Sequence, residues 1–320
     1  MSKEATAFES GAFESGQVQT TPVRSFLGHT NQLSMAIFSS DGKKFISSSY
    51  DQTIRLWDID SGQELKNFSS HTEWVKGIAI SLDGEKIVSC SLDHTAKVWD
   101  TKTGQEFCSF GDESIIQSVA ISPNKKYIVT GSEVGAARLW NLETKKEVFC
   151  FGEHMTAVLA LCFSPDGGLV AGATGKSIYV WNTQTGEQVT HFESNKARVL
   201  QLRFMSDNKH LISSSEDGVV RIYNIETQKE LRQFNGYNSW LQNIALSPDE
   251  KYLFAAYDSY NKDEKIQVTI RCWPVENEKE FKDQHLVAHE YTIAIVAFSP
   301  DCHRVITGST DKKMFLWDLK

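Results

Sequence analysis

The sequence has no apolar run approaching the ~20 residues that a membrane-spanning helix needs, so no such helix is expected. Its opening residues, MSKEATAFES, lack the apolar core of a secretory signal. The six cysteines (Cys90, Cys108, Cys150, Cys162, Cys272, Cys302) form no C-x-x-C pair, which argues against a zinc site. Most sit in apolar runs, so reduced, mostly buried thiols in a cytoplasmic protein are expected. No clear basic import cluster is present, so a nuclear role would require carriage by a partner. Excess positive charge is also missing: 33 Lys and Arg face 41 Asp and Glu, for a net charge of −8. Neither a broad phosphate-binding surface nor a nucleic-acid partner is therefore expected, although a local basic patch stays open. Finally, from Val18 onward no segment of helical length shows helical periodicity.

One stretch invites a nucleotide-binding reading. Gly172 to Ser177 reads GATGKS and ends like a phosphate-binding loop. Such a loop needs a glycine five residues before its second glycine and a helix after it. Position 170 is valine, and Ile178-Tyr179-Val180-Trp181 follow, which are β-formers. Spacing and context both fail, and no cofactor is expected.

What is present is repetition. Asp51 to Asp58 reads DQTIRLWD, Ser91 to Asp100 reads SLDHTAKVWD, Ser132 to Asn141 reads SEVGAARLWN, and Ser309 to Asp318 reads STDKKMFLWD. An aromatic anchor recurs at Trp57, Trp99, Trp140, Trp181, Tyr223, Trp273 and Trp317. Most steps are near the ~40–45 residues of a propeller blade. Each unit runs strand, turn, strand, turn, strand, loop, strand. From about Val18 to Lys320 these units resemble the WD-repeat family of β-propellers. The resemblance implies an all-β, seven-bladed β-propeller, with GATGKS as a worn turn in blade four. The repeat overrides the two domains that 320 residues alone suggest. Residues 17–320 are read as one domain and 1–16 as a flexible tail. That tail carries Ala-Phe-Glu-Ser-Gly twice, with Phe8 and Phe13 as a docking motif or part of a solvated leader. The last unit stops after three strands, and Thr21 to Phe26 aligns with the fourth strand of other units. The N-terminal strand is thus expected to close the ring and remove its exposed edges.

Three blades pair His, Ser and Asp: His29, Ser49, Asp51 with Trp57; His71, Ser91, Asp93 with Trp99; His289, Ser309, Asp311 with Trp317. A set that recurs with the blade period builds blades rather than one active site, so no enzyme is expected. The family resemblance implies hydrogen-bonded structural tetrads. The other blades depart from the pattern, with Asp112 and Val134 in blade three, His154 beside Ala173 and Gly175 in blade four, Asn195 in blade five and Tyr237 in blade six. Blades three, four and six are expected to be looser.

Three positions after the His slot stand Gln32, Trp74, Ile115, Ala157, Arg198, Trp240 and Thr292. By the resemblance, these enter the channel-lining strands on the top face. Tyr50, Tyr237 and Tyr291 lie in neighbouring top loops. An insertion in blade six is expected to add Tyr257, Tyr260, Asp258, Asp263 and Glu264 to a top turn. Together the aromatics would form an arc over blades six, seven, one and two that binds a peptide or protein loop, with Arg198 beside it. Trp and Tyr are frequent binding hot spots. The competing reading makes Trp74 and Trp240 local caps of their own blades. The acidic rim favours basic or mixed partners. The channel mouth carries Ser34, Lys76, Gln117, Leu159, Leu200, Gln242 and Ala294, which are too sparse in carboxylates and histidines for a hydrolase site and lack the aromatics of an arginine pocket. The reading is a monomeric, non-enzymatic interaction scaffold. The alternative is a substrate receptor of a ubiquitin ligase, whose Trp-Asp-x-Arg ending is here Lys at Lys102 and Lys320.

Overall fold

A Ser-x-Asp turn sets the first hairpin of most blades. Ser39 Oγ donates to Asp41 at 2.6 Å, and the Ser81–Asp83, Ser164–Asp166, Ser247–Asp249 and Ser299–Asp301 pairs repeat the same distance. Each short polar side chain satisfies a local backbone group and turns the chain back on itself. At the other end of the blade, the turn between second and third strands is pinned to the loop that enters the blade. Tyr50 N–H donates to Gln32 carbonyl at 2.8 Å, Leu92 to Trp74 at 3.0 Å, Glu216 to Arg198 at 2.9 Å, and Thr310 to Thr292 at 3.0 Å. These pinned loops make up the top face.

The computed structural model describes residues 17–319 apart from 154–155, 194, 238–240, 261–265, 278–280 and 288. Among them are twenty-nine strands and no helix. Blade one shows the plan: inner strand Leu33–Phe38, then Lys44–Ser49, Ile54–Asp58 and the outer Glu64–Phe68, paired antiparallel in that order. The second strands are buried along nearly their whole length because neighbours cover both edges and both faces. Outer strands alternate between exposed and buried residues. Seven such sheets form the ring, with apolar layers packed between adjacent blades. The inner strands surround a central channel of about 590 Å³.

Ring closure follows the sequence expectation. Arg24–Phe26 pairs antiparallel with Met314–Asp318, in the register Arg24 to Leu316 and Phe26 to Met314. Phe26 is fully buried, with its ring 4.7 Å from Phe45 and 5.9 Å from Trp57. It therefore joins blade seven to blade one. A second closure was not legible in the repeats: Gln17–Gln19 adds in parallel to Lys282–Leu286, giving blade six a fifth strand. Gln19 also donates its side-chain amide to the Asp318 carbonyl at 3.0 Å.

The GATGKS stretch is a two-residue hairpin turn. Thr174 faces Ser177, Gly175 takes a left-handed φ of 57°, and Ser177–Asn182 continues as a strand. The blade-six insertion differs from its expected form. Among the described residues it lengthens the hairpin: Tyr252–Tyr260 pairs continuously with Ile266–Pro274.

Candidate functional site

In blade one, His29 Nδ1 lies 2.8 Å from Asp51 Oδ2 and its Nε2 lies 2.8 Å from Ser47 Oγ. Trp57 Nε1 donates to the same Ser47 Oγ at 2.8 Å. Blade two repeats this with His71, Asp93, Ser89 and Trp99, and blade seven with His289, Asp311, Thr307 and Trp317. The bridging hydroxyls are thus Ser47, Ser89 and Thr307, and not the expected Ser49, Ser91 and Ser309. The register explains the two-residue offset. Phe45 sits opposite Trp57, so the diagonal neighbour within reach of the indole is Ser47. Ser49 instead accepts Asp51 N–H and donates to the Asn31 and Gln32 carbonyls, holding the top turn. Burial alone would raise the Asp51 and Asp93 carboxyls, but hydrogen bonds from the histidine and from Thr53 or Thr95 hold them well below the usual range. Burial lowers His289, outweighing its attraction to Asp311. A neutral imidazole with Nδ1–H satisfies the chain: the indole donates to the hydroxyl, the hydroxyl to Nε2, and Nδ1–H to the carboxylate.

Other blades use substitutes. In blade three, Trp140 donates to Thr130 at 2.9 Å and Arg138 pairs with Asp112. In blade five, Asn195 Oδ1 receives Ser213, Arg221 and Tyr223 at 3.3–3.4 Å, longer than the histidine contacts. Blade six builds a different cluster. Arg271 pairs through two 2.8 Å bonds with Asp283, and its guanidinium lies 4.2 Å from the Tyr237 ring and 4.0 Å from that of Phe281. Tyr237 hydroxyl donates to Asp283 at 2.7 Å. Burial and the Asp283 bond both push that phenol up.

The candidate binding residues separate in space. Trp74 is 42% exposed and stacks on Tyr50, with ring centroids 4.3 Å apart and 7° between planes. Lys76 reaches the same tyrosine, its ammonium 3.4 Å from the hydroxyl and 5.4 Å from the ring centre. Trp74 of blade two thus lies against the top turn of blade one rather than over its own blade. Tyr291 of blade seven is 59% exposed. Arg198 is exposed but held by Glu216 at 2.6 and 3.1 Å. Tyr257 is not a surface residue. It is fully buried, occupies the blade-six position of Ser49, and bonds the Gly218 carbonyl of blade five at 3.3 Å. A Cβ on Gly236 would lie 1.9 Å from its hydroxyl, so glycine there makes its room. Asp258 is a half-buried strand residue. Trp240, Asp263, Glu264, His154, Phe8 and Phe13 lie outside the described residues, as do the side chains of Tyr260 and Gln242. The Tyr50–Lys76 contact was not anticipated, because it joins two blades whose facing depends on the ring. The bridging hydroxyls did leave a signal: each stands ten residues before its tryptophan.

The family model described as "WD domain, G-beta repeat" matches residues 20–58, 62–100, 104–141, 145–182, 186–224 and 282–318. The first three strands of blade six, with the lengthened hairpin, fall in the unmatched interval between residues 224 and 282. Nuclear distribution protein PAC1-2 of Uncinocarpus reesii is 26% identical over 134 residues, covering 36% of this chain and 28% of its own. Small ribosomal subunit protein RACK1 of Caenorhabditis elegans is 49% identical over 41 residues, 13% of each chain. Polycomb protein EED of Chaetomium thermophilum is 25% identical over 119 residues, 36% of this chain and 20% of its own. The chain therefore spans less than a third of the length of each of these relatives. Six matched repeats, together with the seven-bladed ring, place it by fold and by sequence: the chain belongs to the WD-repeat family.

Proposed function

We propose that this propeller is a non-enzymatic protein-interaction scaffold that binds a peptide or protein loop on its top face. The observation that carries the reading is the Trp74–Tyr50 stack. A large apolar ring is held on a rigid scaffold, one face is covered by its neighbour, and much of the remainder is open to solvent. Such a ring loses little entropy on binding and buries a large area. Tyr291, one blade away from Tyr50 around the ring, extends the aromatic surface. The relative named as a ribosomal-subunit protein is a component of an assembly, and this chain is read in the same way.

The test compares the parent chain with Trp74→Ala and Tyr50→Ala in tagged capture from lysate, quantified by mass spectrometry. The variants are first matched to the parent in unfolding midpoint. Loss of a hot-spot residue raises Kd by about 30-fold or more. Partners that bind the parent and disappear from both folded variants support the reading. Partners retained at parental level by both variants reject the stack as the binding surface.

A further inference from the structure

The channel wall has an unusual charge balance. Its polar groups mostly stitch neighbouring blades together. Ser118 donates to the Val158 carbonyl at 2.7 Å, Gln201 accepts from Ile244 N–H at 3.0 Å, and Asn243 donates to the Val296 carbonyl. Two lining side chains carry charge, Lys76 and Arg203, and no described Asp or Glu lines the channel. Lys76 is the second residue of its inner strand, Val75–Ile80, at the top mouth. Arg203 is the fifth residue of Val199–Phe204, deeper on a distant wall. At ~3.3 Å per residue, about 10 Å of channel depth separates their levels.

Neither cation has an ion-pair partner among the described residues. On the third strands the pattern is the reverse: Arg55 pairs with Glu64, Lys97 with Glu106, Arg221 with Asp217 and Arg271 with Asp283. In a chain of net charge −8, two uncompensated cations facing one cavity reverse the sign locally. Low-dielectric walls concentrate that field.

The mouth also has converging donors. Lys76 donates one N–H to the Tyr50 hydroxyl oxygen, which leaves its other N–H groups free. The Tyr50 O–H itself remains available beside them. Ammonium and phenol therefore present hydrogens to the same space, next to the Trp74–Tyr50 stack. An oxyanion placed there gains charge-assisted bonds.

We propose that the channel mouth is an anion subsite: the segment held by Trp74 and Tyr50 lowers an acidic or phosphorylated side chain onto Lys76. This rests on the binding reading above and names the chemistry of its ligand. It also reverses the preference for basic partners expected from an acidic rim.

The test presents the full chain with random 12-residue peptide libraries whose central residue is fixed as Glu, phosphoserine, Ala or Lys. The parent is expected to retain Glu or phosphoserine peptides about tenfold over Ala peptides, as a bond to a charged group warrants, and to exclude Lys. Lys76→Gln returns the acidic libraries to the Ala level, and Lys76→Arg keeps the preference. Selection of phosphoserine alone identifies phosphate as the anion, selection of Glu alone a carboxylate, and equal selection of both a site that takes either oxyanion. Enrichment of Lys, no selection by the parent, or an acid preference that survives Lys76→Gln overturns the subsite. Trp74→Ala separates the two readings. If it keeps an acid preference that depends on Lys76, the subsite stands and the aromatic anchor falls.

Discussion

Removing one oxygen from blade one should expose how much the tetrad holds. Ser47 Oγ bonds both His29 Nε2 and Trp57 Nε1, each at 2.8 Å, and all three side chains are buried. Ser47→Ala strands both nitrogens in a dry interior. Each unpartnered buried group costs about 1–3 kcal/mol, so the variant, with two of them, should lose about 2–6 kcal/mol. That is a large part of the ~5–15 kcal/mol typical of a folded domain. Blade seven supplies the control, because Thr307 makes the same two contacts at 2.8 Å. Ser47→Thr should therefore cost less than Ser47→Ala, with only its extra methyl to accommodate. Trp57→Phe removes one of the two stranded groups. A cycle of Ser47→Ala, Trp57→Phe and the double variant should then be non-additive, the double costing less than the sum of the singles. Urea unfolding followed by circular dichroism measures all four proteins. A Ser47→Ala loss below about 1 kcal/mol, or additivity within ~0.3–0.5 kcal/mol, would refute the shared-hydroxyl account.

Acid should destabilise the ring through the same network. The Asp51 and Asp93 carboxyls are held below their ordinary value of 3.8 when folded, so their contribution is present above that pH and is lost as pH falls toward the folded values. His289 is held below 6.5, so its contribution is lost as pH falls from about 6.5 through its folded value. Stability measured from pH 7 to pH 2 should fall once below about 6.5 and again below about 3.8, and a flat profile would count against the network. Phe26→Ala should cost about 3–5 kcal/mol and deletion of residues 1–26 should give aggregating protein, because both open the seam between blades seven and one; a soluble, fully folded deletion would sink the closure account. Hydrogen exchange should be faster in blades three, four and six than in blades one, two and seven, and equal protection around the ring would show that the substitute clusters hold as firmly as the tetrads.

Repeat period made most of the fold legible. Trp57 and its six counterparts fix the third strands, and the surplus segment ending at Phe26 shows where the ring closes. What failed was finer than the period. Ser47 and Ser49 share a strand face, so composition cannot say which one the indole reaches; the diagonal register decides it. Tyr257 reads as a loop aromatic until the lengthened hairpin makes it a strand residue and Gly236 gives it a pocket. Lys76 meets Tyr50 across a blade boundary, and Gln17–Gln19 pairs with a blade it does not belong to by sequence. Local pattern carries no trace of either contact.

The double seam near residues 17–26 has a mechanical consequence. Gln19 and Asp318 are in direct contact, so the chain enters and leaves the ring at one place. A tether on either side of this point is anchored at the same spot and presents the molecule in one orientation. Tension applied between Gln17 and Leu319 would load two short strand pairings, of three residues each, before it reached any complete blade. The ring would part first where blades six and seven are stapled by the N-terminal segment, with the remaining blades still folded behind the break.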